Sequence, residues 1–367
     1  MADINNSVVH LTMRFEKTTL AIGTGFFYER DGKFFIVTAW HNLTGMHVEN
    51  LTKMNKHCAI PNNVVAHVPV ILPFGATRIP LVLNLTEESR STFYVHPKGW
   101  PRADIAVIPF DPHGVHSMEV TPPGHKPTIQ NMNLSNPGNQ ELPLEIYSIQ
   151  KYSNVPANIA QKWLNTAQVS EELFIPGYPK NITDYYGQPV WKRSTIASSL
   201  QIGWNRQSKF LVDSASHSGM SGAPVLLFNP NGNIVIGSST YVIGGPVSIL
   251  AGVYTGRIGV TQESDPQIGI VWHTSVIDEI IDAAQFENRA DEIECSRSML
   301  EAAILEEFAT CSAEGLDNIK NPEMPSRHLV LERVMEAVNG RAIPNRALDT
   351  IVEMAKDYNG PLKEPDT

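Results

Sequence analysis

Apolar positions along the chain change their period near residue 275, dividing the sequence into a strand-rich front and a helix-rich end. In the front, short runs of Val, Ile, Leu and Phe are bounded by Gly, Pro, Asn and Asp, as expected for strands joined by turns. Ser7 to Leu20 carries Val8, Val9 and Leu11 and opens the series. Gly23 to His41 reads as two strands around Asp31-Gly32, a dipeptide suited to the positive φ of a hairpin turn. The second of these strands ends in Thr38-Ala-Trp-His41, so an imidazole sits at a strand terminus. Ala66–Leu72 and Ile79–Leu85 are shorter strand-like pieces. Ala103–Pro109 is an apolar strand with a single carboxylate, Asp104, at its head.

From Phe110 to about Asn154 the pattern breaks down. Thr121-Pro-Pro-Gly and Ser135-Asn-Pro-Gly disfavour regular elements, and the stretch is expected to lie over the surface as an insertion. Strands resume at Leu173–Pro179, Pro189–Ser198 and Lys209–Asp213. After Gly232-Asn233 they continue at Ile234–Gly237, Ser248–Gly256 and Gly269–His273. Ser275-Val-Ile-Asp278 then has capping-box character, with Ile277, Ile280, Ile281 and Ala284 at helical spacing. Three more helices follow. The first carries Leu300, Ile304, Phe308 and Cys311 on one face. The second opens at Pro325-Ser326 and carries Leu331, Val334, Met335 and Val338. The third carries Leu348, Ile351, Val352 and Ala355. Helices this short must pack on one another, on the β region or on a partner.

Candidate chemistry centres on His217-Ser-Gly-Met-Ser-Gly-Ala-Pro-Val225. A serine hydroxyl becomes a nucleophile when a neighbouring base takes its proton. Glycines beside it let the backbone turn so that N–H groups converge on an oxyanion. A base and an orienting acid are available elsewhere in the chain. His41 ends one strand, and Asp104 heads another, where a buried carboxylate needs a partner such as an imidazole N–H.

Taken together these segments resemble the trypsin-like serine peptidases, most closely the bacterial HtrA-type branch. Gly23 to His41 is similar to the family's Gly-x-Gly-Phe…Thr-Ala-x-His. Asp104 to Val107 is similar to its Asp-Ile-Ala-Val. Asp213 followed by Gly219-Met-Ser-Gly-Ala-Pro224 is similar to its nucleophile segment, and Leu250 to Gly256 to the strand lining its substrate cleft. The order His41, Asp104, Ser221 is also the family's order. The resemblance covers roughly residues 15 to 285. It implies a mostly β fold of two antiparallel barrels of the chymotrypsin type, followed by a C-terminal helical extension. The expected division is 1–115 for the first barrel, 116–165 for the inter-barrel insertion, 166–286 for the second barrel and its terminal helix, and 287–367 for the helical region.

The resemblance further implies a His41-Asp104-Ser221 triad, an oxyanion hole from the N–H groups of Gly219 and Ser221, and cleavage through an acyl-enzyme. Ala215 and Ser216 would lie at the floor of the pocket for the residue before the cut, with Tyr254 pointing into it. Thr255 and Gly256 would line the cleft, and the Thr255 hydroxyl would support the buried acid. A neutral pocket floor selects small or medium uncharged residues. Asp213 is expected to be a structural carboxylate accepting loop N–H bonds; turned into the pocket, it would instead select Arg or Lys. Met220 replaces the acid that pairs with a newly cut N-terminus in digestive relatives. The loop must therefore be set by local contacts, by the tail or by a partner. The other functional class is a non-catalytic peptide-binding or scaffold protein acting through its helical tail.

Composition narrows the picture further. A chain of 367 residues with 42% hydrophobic and 18% charged residues is an ordinary globular sequence. From Val276 onward there are 20 acidic and 9 basic residues, leaving the front nearly neutral with 18 and 19. Nucleic-acid binding requires a basic surface, which is missing here. Protein or peptide substrates are the expected partners, with a regulatory protein on the helices as a further one. Cys58, Cys295 and Cys311 are too few and too scattered for a disulfide framework or a zinc site. His47, His57, His67 and His96 lack ligand spacing, and His113 and His116 lack a third ligand, so no cofactor or metal is expected. The opening Met-Ala-Asp-Ile-Asn-Asn-Ser lacks the character of a signal peptide and no run reaches membrane-spanning length, which points to the cytosol.

Overall fold

The first β unit is built outward from a meander whose turns use left-handed residues. β1 (Val8–Phe15), β2 (Thr18–Arg30) and β3 (Lys33–Thr38) run antiparallel. Glu16, at φ 54°, turns β1 into β2, and Asp31 at 52° with Gly32 at 72° turns β2 into β3. Positive φ at both central residues matches the right-handed twist of the flanking strands. The computed structural model of the chain describes residues 4–48, 53–55, 57, 59–72, 75–88, 90–98, 102–121, 124, 126–133, 146–215, 217–258, 267–287, 297–321, 323–338 and 347–363.

On one side of the meander lies the hairpin of β4 (Asn63–Leu72) and β5 (Gly75–Asn84). A two-stranded ribbon of β6 (Thr86–Glu87) and β7 (Arg90–Ser91) follows it. On the other side β3 pairs with β9 (Ala106–Phe110), which pairs with β8 (Tyr94–Val95). β10 (Val115–Val120) and β11 (Thr128–Asn133) extend the sheet past β5, giving nine strands in the order β11-β10-β5-β4-β1-β2-β3-β9-β8. This hairpin corrects the expectation that regular structure stops at Phe110. The strand residues of Val115–Val120 find β5 as a template.

The second β unit is a closed barrel. It comprises β12 (Glu172–Gly177), β13 (Val190–Ile196), β14 (Lys209–Asp213), β15 (Ala223–Asn229), β18 (Val247–Arg257) and β19 (Ile268–His273). β16 (Asn233–Ile236) and β17 (Ser239–Val242) form a separate ribbon, and β17 had no signal in the sequence pattern. Leu173, Ile175, Phe210, Val212, Val225, Ala251 and Val271 fill the barrel. Closure leaves no edge strand exposed.

Short helices attach to this frame. α1 (Trp40–Thr44) follows β3 directly and carries His41. α2 (Ala157–Thr166) lies within the expected surface insertion, yet it buries Trp163 in the barrel's core with the indole donating to Glu171 Oε2 at 2.7 Å. α3 (Thr274–Ala283) follows β19. Its N-cap residue is His273, and no side chain caps it, so Ser275 and Asp278 form no capping box. Asp278 instead accepts from the Tyr28 hydroxyl at 2.8 Å and from Arg30 at 2.6 Å.

Residues 288–367, with segments 46–53 and 98–103, form a second compact unit. It contains α4 (Arg297–Ala309), α5 (Ala313–Lys320), α6 (Ser326–Ala337) and α7 (Ala347–Asp357), one helix more than the periodicity suggested. The Ser312 side chain caps α5, accepting from Gly315 N–H, so a cap opens a helix too short to show a clear apolar stripe. Leu300, Ile304, Phe308, Leu316, Ile319, Leu331, Val334, Ile351 and Ala355 form a core of their own, and Cys311 packs at its margin. The four helices therefore bury their apolar faces on one another. No helix among the described residues is long and apolar enough to cross a membrane.

Candidate active site

His41 and Asp104 meet where α1 leaves β3 and where the chain enters β9. The register pairs Thr38 with Ala106, so the residues just outside this pair face each other across the sheet end. His41 Nδ1 lies 2.8 Å from Asp104 Oδ2 and 3.0 Å from Oδ1. The backbone N–H of His41 also donates to Oδ1 at 3.0 Å. The side chains are 13% and 8% exposed, so this contact is largely shielded from water. An ionised carboxylate only accepts, which assigns the ring proton to Nδ1 and leaves Nε2 as the acceptor.

Ser221 arrives on the loop between β14 and β15, and this loop is bound to the first sheet. Its carbonyl oxygen accepts from Thr24 N–H and from Asn42 Nδ2, each at 2.9 Å. Asn42 follows His41 on α1, so the serine's backbone is tied to the histidine's helix. Gly222 makes this approach possible. At φ 91°, a Cβ there would lie 2.0 Å from the Thr24 carbonyl and 2.3 Å from Thr38 Oγ1. Gly219, at φ 94°, is equally constrained, since its Cβ would lie 2.3 Å from the Tyr178 carbonyl.

The Ser221 hydroxyl donates to the Thr255 carbonyl at 3.1 Å, and no hydrogen bond joins it to His41. That carbonyl reaches the loop because β18 bulges between Tyr254 and Gly256. Bulges commonly re-aim backbone groups in this way. No described residue accepts from the N–H of Gly219 or of Ser221. Ser218 C=O accepts from Lys180 N–H at 2.7 Å. Across a trans peptide the C=O and N–H point in opposite directions. The Gly219 N–H is therefore turned away from Lys180 and left available.

The residues expected to contact substrate are placed as follows. Ala215 is exposed, and Ser216 lies outside the described residues, as do Cys58 and Cys295. Tyr254 is 2% exposed and belongs to the barrel's core, with its ring against the backbone at Gly269, so it fills the barrel instead of narrowing a pocket. The Thr255 hydroxyl makes no hydrogen bond to Asp104, and the residue contributes its carbonyl to Ser221 instead. Gly256 pairs with Ile270. Asp213 ends β14 as an exposed residue and accepts no loop N–H bond among the described residues. Its register partners, Thr195 and Ile268, hold it at the barrel's end.

Several residues of the site had no sequence signal. Thr24, Asn42, Tyr178 and Lys180 act through contacts between segments up to 195 residues apart in sequence. Beneath Tyr178 lies a histidine pair. His10 and His67 are register partners on β1 and β4, with ring centroids 5.1 Å apart. His10 Nε2 lies 2.7 Å from Asn181 Oδ1, and its ring meets Tyr178 edge-on. Burial, with the His10, Arg78 and Arg14 charges, holds the His67 imidazole down to about 4. His10 is also lowered, chiefly by burial. Burial pushes the Tyr178 phenol up to about 12. Elsewhere His96 pairs with Glu279 at 2.9 Å, and His116 bonds the Asp111 carbonyl at 2.7 Å.

No protein-family model and no curated protein matches the sequence. Among solved structures, the chain is similar to the Rv3671c protease of M. tuberculosis in an inactive form. Identity is 12% over 76% of this chain and 89% of that one, with a TM-score of 0.34. A serine endoprotease from Yersinia pestis matches at 14% over 77% of this chain and 66% of that one, TM-score 0.35. The protease Anisep from Arthrobacter nicotinovorans matches at 16% over 76% and 95%, TM-score 0.37. The likeness is to serine proteases.

Proposed function

We propose that this chain is a serine endopeptidase. The observation that carries the reading is the Asp104-bound His41 on the same short helix whose Asn42 holds the backbone of Ser221. In this reading Ser221 Oγ turns from Thr255 toward His41 Nε2, which takes its proton as Oγ attacks the scissile carbonyl. Asp104 fixes the imidazole tautomer and stabilises the imidazolium. The N–H groups of Gly219 and Ser221 bind the oxyanion, a contribution of about 3–4 kcal/mol per donor in such sites. His41 then protonates the leaving amine, and water completes hydrolysis of the acyl-enzyme. The pocket floor at Ala215 brings no charge, which favours uncharged residues before the cut.

Pre-steady-state hydrolysis of a nitrophenyl ester tests this. A burst stoichiometric with enzyme, absent from Ser221→Ala, is the expected result. A linear trace equal in both proteins would contradict it.

One observation favours the scaffold class instead. The Ser221 hydroxyl is engaged by Thr255, not by His41. In free enzymes such catalytic bonds often form only once substrate is bound, so the two readings part at the burst experiment.

A further inference from the structure

Thr24 is fully buried on β2, and each of its polar groups is committed to the nucleophile loop or its surroundings. Its N–H donates to Ser221 C=O at 2.9 Å. Its hydroxyl donates to Gly219 C=O at 2.7 Å and accepts from Tyr178 N–H at 3.2 Å. Its carbonyl accepts from the Thr38 hydroxyl at 2.7 Å. One residue of the first sheet therefore grips the loop on both sides of Met220, at the carbonyls of Gly219 and Ser221.

These two carbonyls are informative because of peptide planarity. Fixing Gly219 C=O turns the Met220 N–H to the opposite side, where it meets His217 C=O at 3.3 Å. The Ser221 C=O bond likewise fixes the Gly222 N–H, which donates to Tyr254 C=O at 2.7 Å. The Gly219–Met220 and Ser221–Gly222 peptides therefore cannot rotate without breaking a Thr24 bond in the interior, where an unmade hydrogen bond is costly. Met220 itself is fully buried, its sulfur against Gly177 in the barrel's core. A thioether there cannot form an ion pair that would set the loop.

We propose that Thr24 is the positioning residue of the nucleophile loop, clamping the two peptides that flank the one carrying the Ser221 N–H, without any activating ion pair. The proposal rests on the serine-peptidase reading for its catalytic consequence, and on the hydrogen bonds alone for the clamp.

The test compares Thr24→Val, which keeps the shape and loses the hydroxyl, with Thr24→Ser, which keeps the hydroxyl. For ester and peptide hydrolysis, Thr24→Val is expected to lower kcat about ten- to a hundredfold with KM within about twofold, as for donors displaced by a fraction of an ångström. Thr24→Ser should stay within about threefold of wild type. Amide hydrogen exchange across 217–222 should accelerate in Thr24→Val and not in Thr24→Ser. If Thr24→Val does not fold, Thr24→Ala takes its place in the same comparison. Unchanged kcat and exchange in Thr24→Val, or equal loss in Thr24→Ser, would overturn the clamp. A wild-type protein without any ester burst would refute the peptidase reading separately, while the exchange measurement still decides the clamp.

Discussion

Asp104 holds His41 at two points, the ring Nδ1 and the backbone N–H of the same residue. The double contact fixes both the tautomer and the position of the imidazole relative to β3. Asp104→Asn keeps the shape but presents an amide N–H to Nδ1 or inverts the tautomer. Turnover is expected to fall about 10³- to 10⁴-fold with little change in thermal stability. Steady-state kinetics on a peptide substrate checks this, and near wild-type kcat would show that the acid is misassigned.

The histidine pair beneath Tyr178 sets a pH dependence of stability. His67 is held down to about 4 against an ordinary value near 6.5. Between these values the unfolded chain binds a proton that the folded imidazole refuses. Stability is therefore complete above about pH 6.5 and declines as pH falls toward 4. His67→Gln should flatten the pH dependence of thermal unfolding in that window, by up to about 3 kcal/mol at its acid end. Parallel curves for the two proteins would contradict the assignment.

The hairpin at Asp31-Gly32 and the strand behind Asp104 were readable because each rests on a local signal. Asp31-Gly32 announces its turn, and the apolar run after Asp104 announces a strand with one polar head. The long-range contacts were not readable. Thr24 stands between two glycines as an ordinary strand residue, and its partner Gly219 lies 195 positions away. β10 and β11 were missed because their pairing depends on β5 as a template and not on their own apolar pattern. Asp213 and Tyr254 were read from the resemblance alone. The barrel places one exposed at a strand end and the other in its core.

Asp213 supplies a direct check on specificity. Exposed at the end of β14 and free of loop N–H bonds among the described residues, it has no structural duty that its amide could not fill. Asp213→Asn should leave kcat/KM within about twofold for substrates with an uncharged residue before the cut. A peptide library varied at that residue should show preference for small or medium uncharged side chains, since an unpaired buried cation costs several kcal/mol. Strong selection of Arg or Lys, lost in Asp213→Asn, would place the carboxylate in the pocket.

The helical unit has a core of its own. It also includes segment 46–53, which follows α1, and segment 98–103, which precedes Asp104. Truncation after Glu287 is expected to give a soluble protein whose ester hydrolysis differs from that of the full chain at least severalfold. An insoluble product would mean that these helices are required for stability.

The proposed mechanism makes Ser221 a nucleophile activated by His41. A fluorophosphonate probe reports on it most directly, because phosphonylation requires an activated serine and consumes it. The full chain should label at one site, mapped by peptide mass to Ser221. Labelling should be lost in Ser221→Ala and strongly slowed in His41→Ala. A full-length, folded protein that takes up no label, or labels equally as Ser221→Ala, would contradict the account.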